Sequence, residues 1–219
     1  MKKIFLPVLF VVMAASLFAQ NGIIRELNGT VELKNAGALS YAQAKPGDQV
    51  KQDTVISTGF KSSALVAVGS ALITVRPLTR LTLTEIRSAA GTETLNVNLQ
   101  AGRVRVDVNP PSGTKTSMTV SSPVATASVR GTSFELDARN LWVNNGKVSF
   151  TGKQGKMIQV SGGSGSNIQE NGKAADPLSV KTAGFTPPAP VGADSSGSGS
   201  DVQSGTGTML VINIDYGNG

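Results

Sequence analysis

Cysteine and histidine are both missing from the 219 residues. Their absence excludes disulfide staples, thiol nucleophiles, imidazole bases and the usual zinc ligands. It also removes the side chain that titrates near neutral pH, so a simple histidine switch is excluded. Aromatic residues make up only 5% of the chain and charged residues 16%, whereas glycine numbers 25. A core must therefore be built from Val, Ile, Leu and Ala, which favours many short strands over a few aromatic-anchored elements. Helical periodicity is scarce too. Outside the opening segment, no stretch of useful length repeats at the helical period.

That opening, MKKIFLPVLFVVMAASLFAQ, passes from Lys2 and Lys3 through an apolar run, Ile4 to Ala15, to Leu17-Phe18-Ala19. Basic, apolar and small-residue regions in this order read as a secretory signal peptide, residues 1–19, with cleavage expected after Ala19. The run is shorter than the about 20 residues needed to cross a bilayer as a helix, and no later segment is long and apolar enough. The mature chain is therefore expected to be periplasmic or extracellular, with no transmembrane span. Its formal charge is +6, or +4 once Lys2 and Lys3 are removed. An exported chain rarely meets nucleic acid, so none is expected as a partner. Anionic envelope polymers or lipid headgroups are more accessible, and a mildly basic surface without a partner is the simplest reading.

Along the chain, IIRELNGTVELK places Asn28-Gly29 between two alternating runs and predicts a hairpin. A polar connector follows, and Pro46-Gly47-Asp48 makes a turn. SALVAV and SALITV then echo one another across Gly69. RVRVDV, residues 103–108, is the cleanest period-two segment, with Val104, Val106 and Val108 opposite Arg103, Arg105 and Asp107. Further short strands follow, bounded by Gly, Pro or Asn, and Asn144-Asn145-Gly146 repeats the hairpin signal. The pattern predicts an all-β domain over residues 20–160, as stacked rungs of a β-solenoid or β-roll or as a sandwich. Short glycine-bounded strands with small side chains suit rungs somewhat better. Residues 161–208 read as a Gly/Ser/Pro-rich linker, expected to be disordered in large part, with GGSGSN its flexible start. Residues 209–216 return to alternation as a C-terminal strand, expected to fold back on the sheet edge or to be added to a partner.

VSSPVATASVRGTSFEL, residues 120–136, sets Arg130-Gly131-Thr132 as a kink inside a strand-like pattern. Together with GDQVKQDTVISTGFKSSALVAVGSALITV, NLQAGRVRVDV and LWVNNGKVSFTG, it resembles the extracytoplasmic FecR domain over about residues 47–152. The sequence departs from that pattern at Val68, where the family's turn usually carries an aspartate. Iron-responsive FecR regulators also carry a cytoplasmic segment and a membrane span ahead of this domain, in place of which a signal peptide is expected here. The resemblance implies the fold and an envelope location, and not activity on a sigma factor.

Four residues are candidate partner contacts: Arg103, Arg105, Arg130 and Trp142. Arg103 and Arg105 share a polar strand face and could extend a basic stripe with Arg76, Arg80 or Lys115. Arg130 offers a forked donor to an anion at a fixed kink, or simply satisfies groups near the bend. Trp142, the single tryptophan, suits strand packing or carbohydrate stacking. Asp48 and Asp53 suit turn capping rather than cation binding, since their spacing matches no calcium loop. No catalytic residue, cofactor or metal site is expected. There is no S-x-x-K pair, and Glu85, Glu93, Asp107, Glu135 and Asp137 are scattered through the sequence. The expected function is a non-enzymatic binding module for an envelope protein or a cell-wall glycan, with a link to envelope signalling. Binding of peptidoglycan or another anionic polysaccharide is the alternative.

Overall fold

A computed structural model describes residues 21–177, apart from Ala90. The expected signal peptide, most of the expected linker and the expected C-terminal strand lie outside the described residues. All described residues fall in the first of two compact units, Met1–Phe185; the second, Thr186–Gly219, lies outside them.

Among the described residues, seventeen strands form two open sheets facing one another as a sandwich. Sheet A runs, edge to edge, β4 (Gln49–Val50), β1 (Gly22–Asn28), β6 (Ser63–Val68), β7 (Ala71–Val75), β10 (Arg103–Val108), β13 (Ser133–Asp137), β14 (Asn140–Asn145) and β17 (Ser164–Asn167). Sheet B runs β3 (Ala42–Gln43), β2 (Val31–Lys34), β5 (Val55–Thr58), β8 (Arg80–Ala89), β9 (Thr92–Ala101), β11 (Lys115–Ser121), β12 (Ala125–Val129), β15 (Lys147–Gly152) and β16 (Ile158–Ser161). Both sheets advance almost in chain order, as rungs would. Yet the chain climbs mainly as two-stranded ribbons, so the pairings are antiparallel except β9 with β11 among the described strands. The expected all-β class holds, and of its two forms the sandwich is observed. A single-strand solenoid would have paired its rungs in parallel.

Strict alternation drives this arrangement. In β10, Val104, Val106 and Val108 are buried while the residues between them are not. The inward side chains of both sheets merge into one buried cluster, with Phe134 of sheet A and Phe150 of sheet B at 0% exposure. The SALVAV/SALITV echo is the β6–β7 hairpin, registered Ala64 to Val75 and Val68 to Ala71.

Three expectations are corrected. Asn28-Gly29 is not a hairpin: β1 pairs with β4 and β6, while β2 pairs with β3 and β5. Asn144-Asn145-Gly146 likewise carries the chain from β14 in sheet A to β15 in sheet B. An Asn-Gly step supplies positive φ, and positive φ turns a corner between sheets as readily as it closes a ribbon. The domain also continues past residue 160. β17 and the buried Ile168 and Ala175 extend it, so the start of GGSGSN is structural.

Corners lock to one another. At Gly102 (φ +87°) the chain crosses from β9 to β10, and a Cβ there would fall 2.5 Å from Thr79 Cα. Thr79 fixes this corner by accepting from Arg103 N at 3.0 Å, and its own N–H donates to Thr58 Oγ1 at 3.0 Å. The expected kink at Arg130-Gly131 is the β12–β13 corner (Gly131 φ +77°), again a switch between sheets.

Candidate functional site

The outward face of sheet A is built by cross-strand register. One row aligns Thr74, Arg105, Glu135, Trp142 and Gly165 across β7, β10, β13, β14 and β17. The neighbouring row places Arg103 opposite Asp137. Residues directly opposite on one face are within interaction range, and here the signs alternate. Arg76 meets Glu135 at 2.8 Å, Arg103 meets Asp137 at 3.3 Å and Arg105 meets Asp107 at 3.1 Å. Asp107, by hydrogen bond and then by charge, holds the Arg105 guanidinium above its ordinary range. Ser133 also donates to Asp107.

Asp137 has a second task. Its Oδ1 accepts the backbone N–H of Arg139 at 2.9 Å and of Asn140 at 2.8 Å, closing the β13–β14 turn. Asn140 Nδ2 donates to the same carboxylate at 3.0 and 3.1 Å. This is the side-chain chemistry that makes Asp favourable in tight turns.

Trp142 is 36% exposed and lies against Gly165 of the edge strand. A Cβ at Gly165 would stand 2.9 Å from Trp142 Cε3 and 3.0 Å from the Leu141 carbonyl oxygen, so only glycine admits the ring. Arg103, Glu135, Asp137, Asn140 and Trp142, with Leu136 and Leu141, line a cleft of about 340 Å³. A second cleft adjoins it, sharing Arg103, Glu135 and Asp137 and bounded by Arg76, Pro77 and Leu78.

Of the expected residues, Arg103 and Trp142 meet in one cleft and Arg105 lies on the same face. Arg130 is exposed on the other side of the sandwich, at the β12–β13 corner. The basic stripe is not formed. Arg76 joins Arg103 and Arg105, but all three have carboxylate partners, while Arg80 and Lys115 sit in sheet B. Sequence reasoning missed Glu135, Asp137 and Asn140 as cleft residues, and Gly165 as the residue against which Trp142 lies. The first three were within reach: FELDARNLW read as a hairpin puts Glu135 opposite Trp142. Asp48 behaves as expected, its Oδ2 accepting from Lys45 N at 2.8 Å in a turn.

The match to known families follows this geometry. The FecR protein family model fits residues 54–149, from just before β5 into β15. The chain carries a FecR domain. That span includes Arg103, Arg105, Arg130 and Trp142, and stops short of Gly165. No curated protein matches the chain. Two crystal structures of a candidate anti-sigma factor from Parabacteroides distasonis are similar to it. The 2.50 Å structure is 18% identical with a TM-score of 0.46, over 58% of this chain and 62% of that one. The 1.65 Å structure is 17% identical with a TM-score of 0.45, over 59% and 63%. This chain thus matches about three fifths of the length of those solved chains.

Proposed function

We propose that this FecR domain is an exported, non-enzymatic interaction module of the bacterial envelope, with a role tied to envelope signalling. Its partner, a protein or a glycan, docks at the Trp142 cleft. The observation that carries this reading is an accessible indole on a rigid sheet, ringed by planar polar groups. An aromatic face takes up the apolar side of a sugar ring or an aliphatic side chain, while Arg103 and Asn140 offer donors at its edge. Glu135 and Asp137 are each engaged by an arginine, and Asp137 also holds a turn, which fits positioning better than proton transfer.

Trp142 supplies its own reporter, since the chain has one tryptophan. Titrating the protein with solubilised peptidoglycan fragments, and separately with fractionated envelope proteins, is expected to shift or quench Trp142 emission in one of the two series. Binding detected by an independent method with unchanged emission, or binding retained by Trp142→Ala, would defeat the proposal. The export half is tested by N-terminal sequencing of the protein from its own cells. A mature N-terminus at Gln20 is expected, and an intact Met1 in the cytosol would refute it.

A further inference from the structure

Sheet B carries a different charge pattern from sheet A. Strands β11, β12, β15 and β16 contain no aspartate or glutamate. Their positive charges gather at one end. The pairing of Met118 with Val129 leaves Arg130 beside Ser117, and that of Val129 with Val148 leaves it beside Lys147. Lys115 precedes Ser117 by two residues on the same exposed face. Lys115, Arg130, Ser117, Thr114 and Pro110 line a cleft of about 370 Å³. Among the described residues neither Lys115 nor Arg130 forms an ion pair, whereas Arg76, Arg103 and Arg105 all do.

The cleft is firmly built. Gly131 turns the chain behind Arg130, and Pro110 packs on that corner, its Cδ 3.5 Å from where a glycine Cβ would stand. Thr116, between Lys115 and Ser117, is buried and holds Ser70 Oγ at 2.7 Å and Glu93 Oε2 at 3.3 Å. Glu93, on the neighbouring strand, also accepts from Ser70 N at 3.0 Å. A forked guanidinium, an ammonium and adjacent hydroxyls converging on one hollow suit an oxyanion. The rest of the face bears Asn96, Thr119, Ser128 and Ser149 in one cross-strand row. That row suits a polyol. It offers no aromatic platform of the kind single-stranded nucleic acid requires, since Phe150 points inward.

We propose that Lys115 and Arg130 form an anion subsite for the phosphate or carboxylate groups of an acidic polysaccharide, whose hydroxyls lie along the Ser/Thr/Asn rows of sheet B. This site is separate from the Trp142 cleft and stands or falls independently of it. The test compares neutral dextran, carboxymethyl-dextran and dextran phosphate by titration calorimetry at low salt, with the full mature chain. Binding of one or both charged polymers and not of the neutral one is expected, and the pair tells which group is preferred. Arg130→Gln and Lys115→Gln should each weaken it about tenfold, the loss expected for one charged hydrogen bond. Arg80→Gln, which removes a charge from the same sheet elsewhere, should leave it unchanged. Equal binding of neutral dextran, insensitivity to Arg130→Gln and Lys115→Gln, or an equal loss in Arg80→Gln would overturn the proposal. So would quenching of Trp142, which would move the polymer to the other sheet.

Discussion

The two outward faces of this sandwich obey the same period-two rule and carry opposite chemistries. Sheet A presents arginines interleaved with carboxylates, plus a tryptophan. The β11–β16 part of sheet B presents hydroxyls and carboxamides, and at one end of it Lys115 and Arg130 form no ion pair among the described residues. Both faces stand on one shared core, so the contrast is not needed to hold the fold. It lies in what each face offers to another molecule. Paired charges give a rigid, electrically balanced surface on which an aromatic ring decides contact, and unpaired cations give an attractive one.

The largest effects test whether the two sheets truly share that core. Phe134→Ala in sheet A and Phe150→Ala in sheet B should each cost about 3–5 kcal/mol in denaturant unfolding, with a single transition. If one variant lost far less than the other, or unfolding split in two, the sheets would be separate structures and the comparison would lose its footing. Gly102→Ala should follow, at about 2 kcal/mol or more. A left-handed backbone with a side chain costs about 1–2 kcal/mol, and the overlap with Thr79 adds to it.

Much of the shared core was legible in the residues themselves. RVRVDV names its own inward valines, because alternation is a local property, and SALVAV with SALITV shows an echo across Gly69 that the structure turns into a hairpin. What local chemistry leaves undetermined is where a strand goes next. Asn28-Gly29 and Asn145-Gly146 supply the backbone bend, but whether the following strand pairs or crosses over depends on neighbours far along the chain. The outward faces were harder still. Arg103 looks like half of a basic stripe until Asp137 is placed opposite it, and Gly165 looks like linker until Trp142 lies over it. Arg130 was singled out at its kink, yet its company with Lys115 comes only from sheet register.

Middle-sized effects separate structural from electrostatic roles on sheet A. Asp137→Ala should cost about 1–2 kcal/mol, because two backbone donors of the β13–β14 turn lose their acceptor. The Arg103–Asp137 pair by itself should show a coupling below about 1 kcal/mol in a double-mutant cycle, falling further in high salt, as exposed pairs do. A coupling of several kcal/mol would mean the lattice is a stabilising element and not chiefly a way to keep the face neutral.

The smallest expected change is the sharpest probe of sheet B. Thr119 and Ser128 lie opposite one another on β11 and β12 with their hydroxyls 3.3 Å apart, at the long end for such a bond. Ser128→Ala removes one partner from a half-buried site that water still reaches. Unfolding free energy should therefore move by no more than about 0.5 kcal/mol. A row kept for packing would respond differently, since a lost hydroxyl inside a closed network leaves its neighbour unsatisfied and costs about 1–3 kcal/mol. A near-zero result would leave the hydroxyl rows unneeded by the fold, as a surface kept for a ligand should be. A large one would make sheet B as self-satisfied as sheet A and erase the difference between the two faces.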